Sequence, residues 1–224
     1  VARHQLAACL GEAIPERASD AYVQQVFDAY AASFDAKLEA LHYRAPELVA
    51  RALAAVAGAP KARLDIVDAG CGTGLCGPLL KPWARKLAGC DLSEGMLRRA
   101  LPRRVYDVLH QAELVYYLDT QPSRFDAVIS ADTLCYFGDL HAAVAAAHKC
   151  LRPGGWMIFT VEALPAEEPA PHRLQGNGRY AHGRAHIQAA LAAAGLREVA
   201  LESDVLRHEA GRPVQGWVVT AVKT

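Results

Sequence analysis

Leu64-Asp65-Ile66-Val67-Asp68-Ala69-Gly70-Cys71-Gly72-Thr73-Gly74 reads as a short buried strand that opens into a glycine-rich turn, with a helical segment near Leu75 to Leu80 behind it. An apolar run of this length, closed by glycines, fits a strand covered on both faces. Glycine takes positive φ without a Cβ penalty and lets the backbone approach a ligand closely. About twenty residues on, Asp91 closes the next apolar strand, where a carboxylate can accept both hydroxyls of a ribose. Strand, turn, helix and acid together point to a nucleotide-like ligand. The other reading the residues leave open is a tight turn that binds nothing.

The dinucleotide fingerprint G-x-G-x-x-G fits this frame poorly. Begun at Gly70, where the strand ends, its third glycine falls on Leu75; begun at Gly72 it is met by Gly74 and Gly77, but two residues late. Asp68 beside the turn would repel a pyrophosphate and suit a cationic ligand. A dinucleotide is therefore disfavoured.

Outward from the turn, short apolar strands alternate with helical segments, the pattern of a parallel sheet covered on both faces. Strands are expected at Leu64 to Asp68, Leu87 to Asp91, Leu109 to Glu113, Phe125 to Ser130 and Trp156 to Val161, with helices near Glu94 to Arg99 and Leu140 to Cys150. Asp139 precedes the latter as its N-cap. Pro165, Pro169 and Pro171 make 162–171 a loop or lid. An Ala-rich helix from Arg184 to Ala194 follows, and runs at Glu198 to Arg207 and Val214 to Val222 read as an antiparallel hairpin. On the N-terminal side, Val23, Val26, Phe27, Tyr30, Phe34, Leu38 and Leu41 draw one stripe along a helix begun at Asp20. A second helix runs from Pro46 to about Ala57.

The chain has 224 residues, 52% hydrophobic and 21% charged, which excludes disorder for most of it. Lys+Arg 24 balance Asp+Glu 24, so no global positive field would gather nucleic acid or acidic lipid. No stretch approaches the length a membrane helix needs, and a soluble, cytoplasmic protein is expected. The six cysteines show no C-x-x-C and no zinc spacing, and they read as buried free thiols.

Val67 to Gly74, with Gly89-Cys90-Asp91-Leu92-Ser93, Phe125-Asp126-Ala127-Val128-Ile129-Ser130 and Leu151-Arg152-Pro153-Gly154-Gly155, resembles the class I S-adenosylmethionine-dependent methyltransferases in order and spacing. Phe27-Asp28-Ala29-Tyr30-Ala31, Phe34-Asp35, Leu41 to Pro46, Gly178 to His182 and Val205 to Gly216 are similar to methyltransferases fused behind tetratricopeptide repeats. The resemblance implies an α/β Rossmann-like, doubly wound sheet of seven strands, mostly parallel with the last antiparallel. It implies residues 1–18 as the remnant of a preceding helical segment and 19–224 as one methyltransferase domain. Within that domain, 20–58 form a helical cap, 62–162 the cofactor-binding core, and 163–224 the lid, helix and C-terminal hairpin.

Roles follow from the resemblance position by position. Gly70, Cys71, Gly72, Thr73 and Gly74 would face the methionine part of S-adenosylmethionine, with Asp68 bracing the turn. Asp91 would hold the ribose, and Leu92, Ser93 and Met96 would lie along ribose and adenine. Gln111-Ala112-Glu113 would meet the adenine amine, with Glu where the family more often has Asp. Ala131 and Asp132 would border the methionine part, and Tyr30 and Tyr43 would close over it from the N-terminal helices.

A methyl group on a sulfonium is already activated, so the protein chiefly aligns an acceptor and excludes water. His182 is the expected base, with Tyr136 and Tyr180 orienting the acceptor; Arg179 or Arg207 would hold an acceptor carboxylate or simply be solvated. His182 and His186 stand four apart, but no Glu follows His182 and no third ligand is evident, so no metal is expected. The reading is a methyltransferase for a small or medium acceptor, with S-adenosylhomocysteine as product. A non-catalytic S-adenosylmethionine-binding module and an NAD(P)-dependent oxidoreductase are its rivals.

Overall fold

A computed structural model of the chain describes residues 1–224. Nine strands form one sheet: β1 (Leu64–Ala69), β2 (Ala84–Asp91), β3 (Val108–Gln111), β4 (Phe125–Ser130), β5 (Leu151–Ala163), β6 (His172–Leu174), β7 (Tyr180–His182), β8 (Leu196–Glu209) and β9 (Arg212–Lys223). The parallel part runs β3-β2-β1-β4-β5, so the direction of winding reverses between β1 and β4. Beyond β5 lie antiparallel β9 and then β8. The hairpin expected near Gly211 is present, turned through Ala210 and Gly211 at φ 48° and 75°. Two residues with positive φ match the twist of the flanking strands.

The strand count corrects the expected seven. The additional pair, β6 and β7, comes from the segment expected to be a lid: β7 pairs with the end of β5 through Glu162 and Ala163, and β6 pairs with β7. At three residues each, these strands exist only by pairing with a neighbour and leave no periodic trace in sequence. For the same reason Glu162, expected in a loop, lies in β5, paired with Ala181 on one side and Gly216 on the other. Strand β3 ends at Gln111, short of its expected limit, and Glu113 instead caps α7 (Leu114–Asp119), its side chain accepting from Tyr116 N.

Helices cover both faces. Successive strand residues point to opposite sides, so Val67, Val128, Met157 and Phe159 pack with α7, α8 (His141–Cys150) and α9 (Arg184–Ala193). Ile66, Ala127, Ile129 and Ile158 pack on the other side with Val49 and Leu53 of α4 (Ala45–Ala57) and Leu80 of α5 (Gly77–Leu80). Two aspartates interrupt the buried strand β1, and each has a partner: Asp65 receives Arg85 and Arg152, and Asp68 receives the Tyr106 hydroxyl at 2.6 Å.

The long N-terminal helix expected from the stripe is broken. α2 (Asp20–Tyr30) and α3 (Phe34–Ala40) are separated by a 3-10 turn at Ala31–Ser33. α1 (Ala2–Leu10) ends at Gly11 in the left-handed region and buries Ala7 and Ala8 against Leu174 and Tyr180. No helix is long and apolar enough to cross a membrane. The six cysteines are unpaired; five are buried and Cys9 is exposed.

Candidate active site

The ends of β1, β2, β3 and β4 open on one side into a cavity at the switch point between β1 and β4, where doubly wound sheets bind ligands. The cavity volume is about 180 Å³, and the cavity opens to solvent. After β1 the backbone turns through Gly70, Gly72 and Gly74, all at positive φ, and regular helix resumes only at α5. At Gly70 a Cβ would fall on the side chain of Thr133, so any larger residue would be driven into that wall.

Asp91, at the end of β2, faces this turn. Its Oδ2 accepts from Gly72 N at 2.8 Å and its Oδ1 from Ser93 N at 2.8 Å. A carboxylate has about four acceptor positions, so two remain for a ligand. Burial raises the pKa of Asp91, and the backbone amides of Ser93 and Gly72 pull against that rise.

Of the expected cofactor contacts, Gly70, Cys71, Gly72 and Thr73 line the cavity, as do Asp91 and Leu92. So do Ala112, Glu113, Ala131, Asp132 and Tyr43. Glu113 Oε1 is buried there with no hydrogen-bond partner, its nearest cation being Arg17 Nη1 at 3.7 Å. The rest do not line it. Gly74 packs against Tyr106 and Arg103, Asp68 is buried under the turn, and Met96 is buried on α6 (Glu94–Ala100). Ser93 caps that helix, and the Gln111 amide donates to Leu92 O. Tyr30 is 47% exposed with the Lys37 ammonium 4.1 Å from its ring, so it does not cover the cavity. Phe27 and Phe34 hold that place, their rings edge to face at 5.9 Å.

Among the expected catalytic residues only Tyr136 reaches the cavity. His182 is fully buried beyond its wall, with Nε2 on Phe137 O at 2.8 Å and its ring stacked on His186. Pairing of β7 with β5 places it there, and burial lowers its pKa to about 3, so the ring is neutral. His182→Ala is thus expected to act on stability, costing about 2–4 kcal/mol as a buried deletion, while S-adenosylhomocysteine affinity stays within about twofold. A thermal melt and a titration check this; an intact melting point with lost binding would contradict it. Tyr180 is likewise buried, its hydroxyl donating to Pro15 O at 2.6 Å.

The sequence did not disclose the ionic cluster at the far end of the cavity. Arg207, 3% exposed, donates to Asp132 at 2.7 Å, to Glu209 at 2.7 Å and to Glu162. Arg179 donates to Glu162 at 2.5 Å and to Glu209. Burial alone would lower the Arg207 pKa, but Asp132 and Glu162 outweigh it and hold it raised. Neither arginine is solvated, and both are already held by carboxylates. The one available signal was the spacing of Arg207 and Glu209, two apart in a strand and so on one face; the other partners of Arg207 lie 45 and 75 residues away, and Arg179, the partner of Glu209, lies 30 away.

Asp68 Oδ1 has no partner, and burial lifts this carboxyl to about 7. In the unfolded chain an aspartate titrates near ~3.9, so the folded chain takes up a proton between the two values. This contribution to unfolding free energy therefore falls as pH rises from about 4 to about 7 and levels off above. Asp68→Asn is expected to flatten that part of the melting-temperature profile between pH 4 and 8. An unchanged slope would assign it to other groups.

Burial pushes the Cys71 thiol well above its usual range, which removes it as a nucleophile near neutral pH. The His182 and His186 rings face each other, yet no group of three or more His, Cys, Asp or Glu side chains is arranged to hold a metal.

Fold and site together define a doubly wound α/β domain with a cavity at its switch point. A family model described as a methyltransferase domain matches residues 40–200, and the chain belongs to that family. Curated relatives include the ubiquinone biosynthesis O-methyltransferase of Thiobacillus denitrificans, 32% identical over 46% of this chain and 46% of the relative. Another is the biotin biosynthesis bifunctional protein BioHC of Saccharophagus degradans, 33% identical over 45% of this chain and 19% of the relative. The chain spans about half or less of the length of these relatives. Among solved structures, the Burkholderia thailandensis 1,6-didemethyltoxoflavin-N1-methyltransferase superposes with a TM-score of 0.70 at 23% identity, covering 94% of this chain and 92% of that one. At that identity the likeness is one of fold.

Proposed function

We propose that this chain transfers the methyl group of S-adenosylmethionine to a small or medium acceptor. The observation that carries this reading is the geometry of Asp91 against the glycine turn. Gly72 N, the amide a diphosphate would need, is taken by the Asp91 carboxylate, and Asp68 lies buried just beneath. A dinucleotide would set its phosphates against two acids, with only the four-residue α5 behind them to supply a dipole. A sugar hydroxyl and a cationic sulfur nucleoside fit the same donors and acceptors.

When bound, S-adenosylmethionine supplies a methyl group activated for in-line displacement. Asp91 accepts the ribose hydroxyls, Leu92 and Ala112 flank the base, and Glu113 Oε1 accepts from its amine. Asp132 borders the amino-acid part. Phe27 and Phe34 exclude water from above, which strengthens each polar contact beneath them. The acceptor lies toward Tyr136, Arg179 and Glu209, where the cavity continues past Asp132; this continuation favours an enzyme over a binding module. No histidine lines the cavity; the carboxylates on its wall are those of Asp91, Glu113, Asp132 and Glu209.

Calorimetry with S-adenosylhomocysteine and with NAD tests the cofactor, with saturable binding expected for the first alone. Binding of NAD with none of the sulfur nucleoside would reverse the assignment. Methyl transfer from labelled S-adenosylmethionine to a panel of hydroxyl, amine and carboxylate acceptors then tests the reaction.

A further inference from the structure

Two Phe-Asp pairs, Phe27-Asp28 and Phe34-Asp35, stand seven residues apart on either side of the break between α2 and α3. Each phenylalanine lines the cavity, and each aspartate, itself exposed, bonds to a loop at the end of β1 or β2. Asp28 Oδ1 accepts from Ser93 Oγ at 2.5 Å and from Gly95 N at 3.0 Å. Asp35 accepts from Thr73 Oγ1 at 2.5 Å and from Arg103 Nη2 at 2.5 Å, while Arg103 Nε donates to Thr73 O at 2.6 Å. Ser93 and Gly72, the neighbour of Thr73, are the two residues whose amides hold Asp91. A chain of hydrogen bonds thus runs from α2 through Ser93, Asp91, Gly72 and Thr73 to α3.

Gly95 is an independent sign of the same fit. A Cβ there would lie 3.1 Å from Asp28 Oδ1 and 3.2 Å from Ala31 Cβ, so an alanine would press α2 away from α6 by a few tenths of an ångström.

We propose that Asp28 and Asp35 are positioning residues for the cofactor: they tie the aromatic cover to the two loops that hold Asp91, and so set how long the nucleoside remains bound. The inference rests on the proposed S-adenosyl site. Neither aspartate need touch the ligand. With either carboxylate removed, its phenylalanine loses its anchor over the cavity and the loop beneath loses a charge-assisted bond.

The test is surface plasmon resonance with S-adenosylhomocysteine on the full chain. Asp28→Ala and Asp35→Ala are each expected to raise the dissociation rate about tenfold, as loss of a charge-assisted bond implies, while association stays within about twofold. Asp28→Asn and Asp35→Asn keep an acceptor oxygen and are expected to recover most of that change. Gly95→Ala should act like Asp28→Ala although the carboxylate is intact. Dissociation within twofold of wild type in both alanine variants would overturn the proposal. So would a fall in association matching the rise in dissociation, unrelieved by asparagine, which would mark both residues as structural. Failure of the wild-type chain itself to bind the nucleoside would remove the underlying site, and it would be seen before any variant was measured.

Discussion

Asp91→Ala is expected to weaken S-adenosylhomocysteine binding by roughly a hundred- to a ten-thousandfold. The carboxylate at the end of β2 already accepts from Gly72 N and Ser93 N and keeps acceptor positions for a ribose diol. Charge-assisted hydrogen bonds contribute about 1.5–3 kcal/mol each, and two of them correspond to that range of affinity. The variant also frees the two amides, so the glycine turn loses its brace along with the ligand's anchor. Asp91→Asn separates these effects: one side-chain oxygen survives, and an intermediate loss is expected. Calorimetry measures both, and unchanged affinity in the alanine variant would show that the ribose is held elsewhere.

Arg207→Met is expected to destabilise the fold by about 3–5 kcal/mol, the loss typical when one partner of a buried ion pair is removed. Arg207 is the cation shared by Asp132, Glu162 and Glu209, and without it two buried carboxylates on neighbouring strand ends face each other with Arg179 alone. For a chain of this size the melting temperature should fall by about 10 °C or more. Because the cost comes from stranded charge and not from lost volume, adding Glu162→Gln should return part of the stability. Additive losses in the double variant would mean that the pair is not coupled. Since Asp132 and Glu209 line the cavity, the same variant is expected to lower methyl transfer beyond its effect on folding.

The parallel core was legible where burial on both faces forces an unbroken apolar run, as in Ile66-Val67 and Val128-Ile129. The hairpin at Gly211 was legible because its turn demands positive φ. Asp91 was legible as well, since its place at a strand end follows from the strand itself. His182 shows the limit. A histidine after a Pro-rich segment looks the same in sequence whether it faces a cavity or a core, and only the pairing of β7 with β5 decided that it is buried against Phe137. Tyr30 misled in a similar way: the break at Ala31–Ser33 changes which residues of the stripe face inward, so Phe27 and Phe34 cover the cavity instead.

By itself, then, the sequence determined the elements whose physics is local: buried strands, the glycine turn and the acid that follows it; the helix caps fell elsewhere, on Ser19 instead of Asp20 and on Leu140 instead of Asp139. Tertiary structure alone decided the cluster around Arg207, the ribbon at β6 and β7, and the carboxylates of Asp28 and Asp35 on the core loops. Arg207 reaches Glu162 and Asp132 across 45 and 75 positions, Asp28 and Asp35 reach Ser93 and Thr73 across 65 and 38, and β7 finds its place only by pairing with β5; no periodicity or spacing encodes a partner at such distances. Their geometry exists only once the hydrophobic layers on the two faces of the sheet have fixed the strand ends in space.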